Sequence, residues 1–248
     1  MLDREKITSY LKDKTAEVLV FDTVGSTNDV AKRLCEDGKA YLVVANSQTN
    51  GRGRQGKSFF SPADSGLYFS LTVNTDKPDF SFTGVTCAVS VAVTRAIEKL
   101  TDLHPKIKWV NDIYIDNKKV CGILVQAVTE NGRISRLIIG VGINISTADF
   151  PEEIKGIAGA LNKNIDRSIL TAEIVNNIRE LIKEKPCTYL DEYKAKSNVL
   201  GKDIIYFKDN IPHSATAVDI DSTGGLVVEE SGEKITLTSG EISLRFPL

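Results

Sequence analysis

The sequence predicts an α+β fold: a largely antiparallel β-sheet flanked by helices, followed by a small β-barrel. Three observations carry this prediction. Apolar residues recur at three- and four-residue steps in Phe80–Leu100 and Ser168–Lys185. Between those stretches, from Lys106 to Val141, the period drops to two, with Asp116-Asn117 and Asn131-Gly132 as hairpin turns. After Leu200-Gly201 come five short runs, Asp203–Phe207, Ala215–Asp219, Leu226–Glu230, Lys234–Thr238 and Ile242–Phe246. Their turns carry Asp209-Asn210, Gly224-Gly225 and Gly232, a spacing that suits a small barrel. A strand meander grouped after helices argues for α+β over alternating βαβ units. The boundary is expected near Asn198, dividing residues 1–197 from 198–248.

Composition narrows the function classes. At 248 residues the chain can form one large domain, or a main domain with an appendage. Lys+Arg 31 against Asp+Glu 33 leaves a net charge of −2, so global charge points to neither nucleic acid nor membrane. The four cysteines are far apart, with no Cys-x-x-Cys pair, as expected of free thiols in a reducing cytoplasm. Two histidines make a histidine-built zinc site improbable. The N-terminus is charged and lacks a signal-peptide core. The weakly charged run Phe80–Thr94 is too short and too rich in Ser and Thr to span a bilayer. A soluble cytoplasmic protein is expected.

Taken in order, residues 3–12 place Ile7, Tyr10 and Leu11 at helical spacing, and Val18–Phe21 reads as a buried strand. Ser26 or Thr27 then suits the N-cap of a helix with Val30, Ala31, Leu34 and Cys35 inward and Gly38 as its stop. Capping alone would explain Gly25-Ser-Thr-Asn28. The alternative is a strand-to-helix turn that presents hydroxyls and N–H groups to a ligand. Tyr41–Asn46 and Leu67–Val73 are further strands. Late in the chain, Pro151–Lys163 reads as loosely helical and Thr188–Lys196 as a last helix.

Between the second and third strands lies Gln48–Pro62, with Gly51, Gly53, Gly56, Arg52, Arg54, Lys57, Phe59 and Phe60. Such glycine density lets a backbone approach a ligand closely, and the arginines offer planar donor forks to carboxylate or phosphate. This is a mobile, anion-binding loop. Its Gly-x-Gly-x-x-Gly pattern follows a strand, and Asp76 lies 20 residues beyond Gly56, as in a dinucleotide-binding turn. That motif needs a helix opening inside it. Lys57-Ser-Phe-Phe-Ser-Pro62 cannot continue as one, so the dinucleotide reading is rejected. The segment also lacks the Gly-Lys-Ser/Thr ending of a P-loop.

Four segments look ligand-directed: Ser26-Thr27-Asn28, Gln48–Phe60, Lys108–Asp112, and Gly122 with Gly142 and Asn144. Alternation puts Lys106 and Lys108 on one strand face, opposite Ile107 and Trp109, which a solvated strand would also explain. The polar break Asn111-Asp112 favours a site at the strand end.

The set Ser-Thr-Asn, Gly-Arg-Gly-Arg-x-Gly-x-x-x-Phe-Ser-Pro, Lys-Trp-x-Asn-Asp, Gly-Ile-Leu-Val and Gly-x-Gly-Ile-Asn resembles biotin protein ligase. The resemblance runs from about Ser26 to Asn144, and its strength is five motifs in order. It implies a mixed sheet of the class II aminoacyl-tRNA-synthetase-like biotin ligase fold, with a Src-homology-3-like C-terminal barrel. It implies that biotin and ATP form biotinyl-5′-AMP with release of pyrophosphate. A lysine of a biotin carboxyl carrier domain then takes the biotinyl group. Mg²⁺ would accompany ATP. Carried over residue by residue, Ser26, Thr27, Asn28 and Gln48 belong to biotin binding, with Arg52, Gly53 and Arg54 closing over it. Arg54 and Lys108 would be catalytic at the carboxylate–phosphate junction, touching both substrates. Gly122 would leave room for biotin. Phe59, Asn111 and Asn144 would serve the nucleotide.

Phe59 stands where the family usually has Trp, Val110 where it has Pro, and Gln126 where it has Glu. These departures bear on nucleotide affinity more than on the reaction. Some members carry an N-terminal winged helix-turn-helix; none is expected here, nor DNA binding. A homodimer through sheet edges would be in keeping with the family. The rival readings are a lipoate–protein ligase of the same fold and a non-catalytic binder of biotin or its adenylate.

Overall fold

The computed structural model describes residues 2–75, 81–131, 133–208, 211–238 and 243–245. A short helix α1 (Arg4–Tyr10) precedes strand β1 (Glu17–Val24), helix α2 (Thr27–Leu34), β2 (Tyr41–Gln48) and β3 (Gly66–Asn74). Helix α3 (Phe82–Leu100) leads into β4 (Lys106–Lys108), β5 (Asp112–Ile115), β6 (Lys118–Glu130) and β7 (Arg133–Asn144). Helices α4 (Glu152–Lys155), α5 (Arg167–Leu181) and α6 (Cys187–Lys196) follow. Strands β8 (Asp203–Lys208), β9 (Ile211–Ile220), β10 (Leu226–Glu230), β11 (Glu233–Leu237) and β12 (Ser243–Arg245) complete the chain.

The first seven strands form one sheet in the order β1-β2-β3-β7-β6-β5-β4, parallel between β1 and β2 and antiparallel elsewhere. The last five form a separate antiparallel sheet, β11-β10-β9-β8-β12. The fold is thus the expected α+β arrangement. The helices α3 and α5 cover one face of the larger sheet. Their apolar stripes (Val89, Val93, Ala96, Ile97; Leu170, Ile174, Ile178) meet Leu42, Val44, Phe69 and Leu71 in one continuous core. Full burial of each Val, Leu, Ile or Phe side chain among them contributes about 1.5–3 kcal/mol. The opposite face is covered only in part, by α2 and the Gln48–Pro62 loop, and this leaves a groove.

Several local expectations changed. The segment Pro151–Lys163 is helical only over Glu152–Lys155; beyond it, Ala158 bridges to Lys119 and Leu161 hydrogen-bonds to Asn144. The sheet edge competes there with a weak helical pattern. Strand β9 starts earlier than expected, because its pairing with β8 runs on through Ile211. Phe80 and Asp76 lie outside the described residues, as do Gly132 and Asp209-Asn210. The hairpin turn at Asp116-Asn117 has φ 48 and 60, as a two-residue turn of this kind requires. Among the described residues no helix is long and apolar enough to cross a membrane. Cys35, Cys87 and Cys121 are buried thiols, and burial pushes Cys87 and Cys121 upward in pKa.

Candidate functional site

The groove has a volume of about 350 Å³ and runs along strand β7. Gly140, Gly142 and Asn144 share one face of that strand and line the floor, a span of about 13 Å at strand rise. Gly122 of β6 pairs directly with Gly142.

At the Gly140 end lies a polar network. The backbone N–H of Thr27 donates to Gln48 Oε1 (2.8 Å), and Gln48 Nε2 donates to Ser61 Oγ (2.9 Å). Ser70 Oγ lies 2.8 Å from Thr27 Oγ1 and 2.5 Å from Asn28 Oδ1, while Asn28 Nδ2 donates to Gln126 Oε1 (2.8 Å). Ser26 occupies the N-cap position of α2 but makes no side-chain capping bond; Gln48 takes a helix N–H instead. By contrast, Asp3, Ser81 and Asp166 do cap their helices. Side-chain capping therefore does not account for Ser26, which borders the groove. Gln126, in place of a carboxylate, keeps this end uncharged: an amide oxygen is all that Asn28 needs.

The middle of the groove holds the cations. No helix follows Gly56. The loop instead closes on itself through Gly53 N–H to Lys57 O (2.7 Å) and Phe59 N–H to Gly51 O (2.8 Å). Arg52 pairs with Asp29 at the rim (2.9 Å). Arg54 turns inward, and its Nη1 donates to Asn111 Oδ1 (3.0 Å). Burial pushes the Arg54 guanidinium down in pKa while Asp112 and Tyr193 push it up; an arginine keeps its charge at neutral pH. Lys108 Nζ sits 5.8 Å from the centre of the Tyr114 ring. Burial, with Asp112 adding to it, holds the Tyr114 phenol up at about 12, so that wall is neutral. Lys119 adds a third cation, paired with Asp112 at 2.7 Å.

Phe59 lines the groove. Its ring lies down over the floor: a Cβ on Gly142 would stand 2.7 Å from it, and one on Gly122 3.2 Å. The two bare glycines therefore make room for this ring. Phe60 faces the other way, 6.3 Å from Phe150. At that end Asn144 donates through Nδ2 to Gly159 O (2.9 Å), and its buried Oδ1 has no hydrogen-bond partner. An unpaired buried acceptor costs free energy until a donor arrives.

The residues expected to serve biotin, ATP and catalysis thus border one groove, whereas Gly51, Gly56, Val110 and Gln126 do not line it. Ser70 and Lys119 escaped notice. A serine inside the apolar run Leu67–Val73 was the available signal for Ser70; Lys119 looked like an ordinary hairpin lysine.

A model described as the biotin/lipoate A/B protein ligase family matches residues 20–144, half of the chain. One described as the biotin protein ligase C terminal domain matches residues 206–245. The bifunctional ligase/repressor BirA of Salmonella typhimurium is 28% identical, over 99% of this chain and 79% of that one. The biotin protein ligase of Aquifex aeolicus in complex with biotin and ATP is 29% identical with a TM-score of 0.79, covering 93% and 99%. That of Leishmania major in complex with biotinyl-5-AMP is 25% identical with a TM-score of 0.61, covering 90% and 99%.

Replacing Gln48 with Ala strips the acceptor from Thr27 and the partner from Ser61. Chemical denaturation should show a loss of about 1–3 kcal/mol. An unchanged midpoint would mean that the network does not hold the α2 turn.

Proposed function

The chain belongs to the biotin/lipoate A/B protein ligase family, and we propose from the groove's chemistry how it works as an ATP-dependent biotin–protein ligase. Biotin is activated to biotinyl-5′-AMP, and the biotinyl group passes to a lysine of a biotin carboxyl carrier domain. The observation that carries the reading is that Arg54, from a loop, and Lys108, from a separate strand, line the same groove as an uncharged polar end and the unpaired acceptor of Asn144.

The first step brings a carboxylate against a polyphosphate. Two like charges 4 Å apart at an effective dielectric of about 20 repel by roughly 4 kcal/mol. Arg54 and Lys108 offset that repulsion and stabilise charge developing at the α-phosphate. The carboxylate oxygen bonds to phosphorus as the bond to pyrophosphate breaks. In the second step the acceptor amine attacks the acyl carbon, AMP leaves, and the amine loses a proton as the amide forms. Ser26, Thr27, Asn28 and Gln48 face the ureido end, which needs donors and acceptors but no charge. Arg52, Gly53 and Gly122 belong to the biotin side. Phe59, lying where the apolar rings of biotin would pass, has to shift or pack edgewise against them. Asn111 orients Arg54 toward the phosphate. Asn144 Oδ1 suits the exocyclic amine of adenine, with Phe60 and Phe150 as the apolar walls. A closed loop also shields the mixed anhydride from water.

Among the described residues no three His, Cys, Asp or Glu side chains gather into a metal site. Asp112 is the one carboxylate among the described residues lining the groove. This fits Mg²⁺ arriving on the triphosphate, since that ion takes one or two carboxylates beside substrate phosphates. When bound it would share the neutralisation of phosphate charge. Residues 198–248 form the smaller unit in this reading, and the location is cytoplasmic. Of the two sheet edges, β4 is partly covered through Ile107–Ser197, so a homodimer would pair through β1. Sedimentation equilibrium should then give a dimer that a proline in β1 dissociates; a monomer at every concentration removes the idea.

The direct test is biotin-dependent exchange of pyrophosphate into ATP. The wild-type chain should catalyse it, and Lys108→Ala should reduce it by about a hundredfold or more. Wild-type exchange that survives unchanged in Lys108→Ala would remove Lys108 from the chemistry.

A further inference from the structure

Lys108 and Asp112 are register partners, so Trp109, Val110 and Asn111 form the whole loop of the β4–β5 hairpin. Each of these residues is held from a different direction. Asn111 Nδ2 donates to Ile123 O (3.0 Å) while its Oδ1 receives Arg54. The Val110 carbonyl accepts from Tyr193 Oη (3.2 Å) and Ser90 Oγ (3.3 Å). Trp109, 5% exposed, sends its indole N–H to Gly224 O (2.9 Å), which belongs to the C-terminal sheet.

The turn that carries Gly224, residues 221–225 between β9 and β10, is built to present that carbonyl. One oxygen of Asp221 accepts three hydrogen bonds, from Thr223 N (2.8 Å), Thr223 Oγ1 (2.7 Å) and Gly225 N (2.8 Å). Gly224 has φ +87, and a Cβ there would stand 3.0 Å from the backbone of Thr83 and Gly84. The turn therefore seats directly on the first turn of α3, where Ser81 Oγ also donates to Thr223 O (2.7 Å). Asp221 itself does not line the groove.

We propose that the β9–β10 turn is a positioning element of the adenylation site, with Asp221 and Trp109 as positioning residues that fix Lys108 and Asn111. This rests on the ligase reading above and assigns the C-terminal sheet a task within it. The chain of contacts runs from the Asp221 carboxylate to the Gly224 carbonyl, to the Trp109 indole, and so to the residues on either side of Trp109. None of these contacts reaches the polar end near Ser26 and Gln48. The effect should therefore spare the ureido contacts of biotin and fall chiefly on the use of ATP.

Biotin-dependent ATP–pyrophosphate exchange is measured on the full chain for wild type, Asp221→Ala, Asp221→Asn and Trp109→Phe, with melting temperatures alongside. Asparagine keeps an acceptor oxygen for the three hydrogen bonds, and phenylalanine keeps the ring but not the N–H. Asp221→Ala and Trp109→Phe should each lose about tenfold in kcat/KM for ATP, with the biotin KM within about twofold and Asp221→Asn near wild type. ATP kinetics unchanged in Trp109→Phe, whatever its melting temperature, would overturn the inference. Equal losses for biotin and ATP would do the same, since mere loosening of the packing predicts them. Should Asp221→Ala fail to fold, Trp109→Phe and Asp221→Asn still decide. A wild-type chain without exchange overturns the ligase reading and this inference together, which separates the two failures.

Discussion

The hydrogen bond from Arg54 to Asn111 joins the glycine-rich loop to the β4–β5 hairpin. A guanidinium drawn from water needs partners that hold it in place. Asn111 supplies one, and Asp112 and Tyr193 lie close enough to favour its charge. Asn111 is itself held to β6 through both its side chain and its backbone carbonyl. The loop can thus carry its inward cation to a defined point on the sheet while the rest of its charge stays at the rim. Without that anchor the loop would be a basic surface segment. With it, the loop becomes the roof of a groove.

The floor meets a different constraint. A ligand with one apolar and one highly charged half needs a surface that changes character within a few residues. Alternation along β7 supplies this, since Gly140, Gly142 and Asn144 line the groove while the side chains of Ile139, Val141 and Ile143 join the hydrophobic core. The glycines keep the floor low, and Asn144 at the end brings a polar group already half satisfied by Gly159. Neighbouring β6 repeats the design with Gly122. Ser70 ties β3 to α2, so the uncharged end is held by a closed set of hydrogen bonds without any buried ion pair.

Much of this was legible in the residues. Asn111-Asp112 marked the end of a strand, Lys57–Pro62 ruled out a helix, and both segments border the groove. The seven strands of the main sheet and helices α3, α5 and α6 follow the periodicity closely. Other features were not legible, for physical reasons. Two adjacent phenylalanines give no sign of which one turns down; the bare glycines Gly122 and Gly142, 63 and 83 positions after Phe59, decide it. The contact from Trp109 to Gly224 spans 115 residues and involves a backbone carbonyl, which leaves no mark in composition. The segment Pro151–Lys163 has a weak helical pattern that loses to hydrogen bonds with β6 and β7.

In the reading above, this groove selects biotin and delivers it to a lysine. The most direct measurement is the mass of a biotin carboxyl carrier domain after incubation with the protein, ATP, Mg²⁺ and equal amounts of biotin and lipoate. A single biotinyl group on one lysine is the predicted result. A lipoyl adduct, or no adduct with either acid, would contradict it.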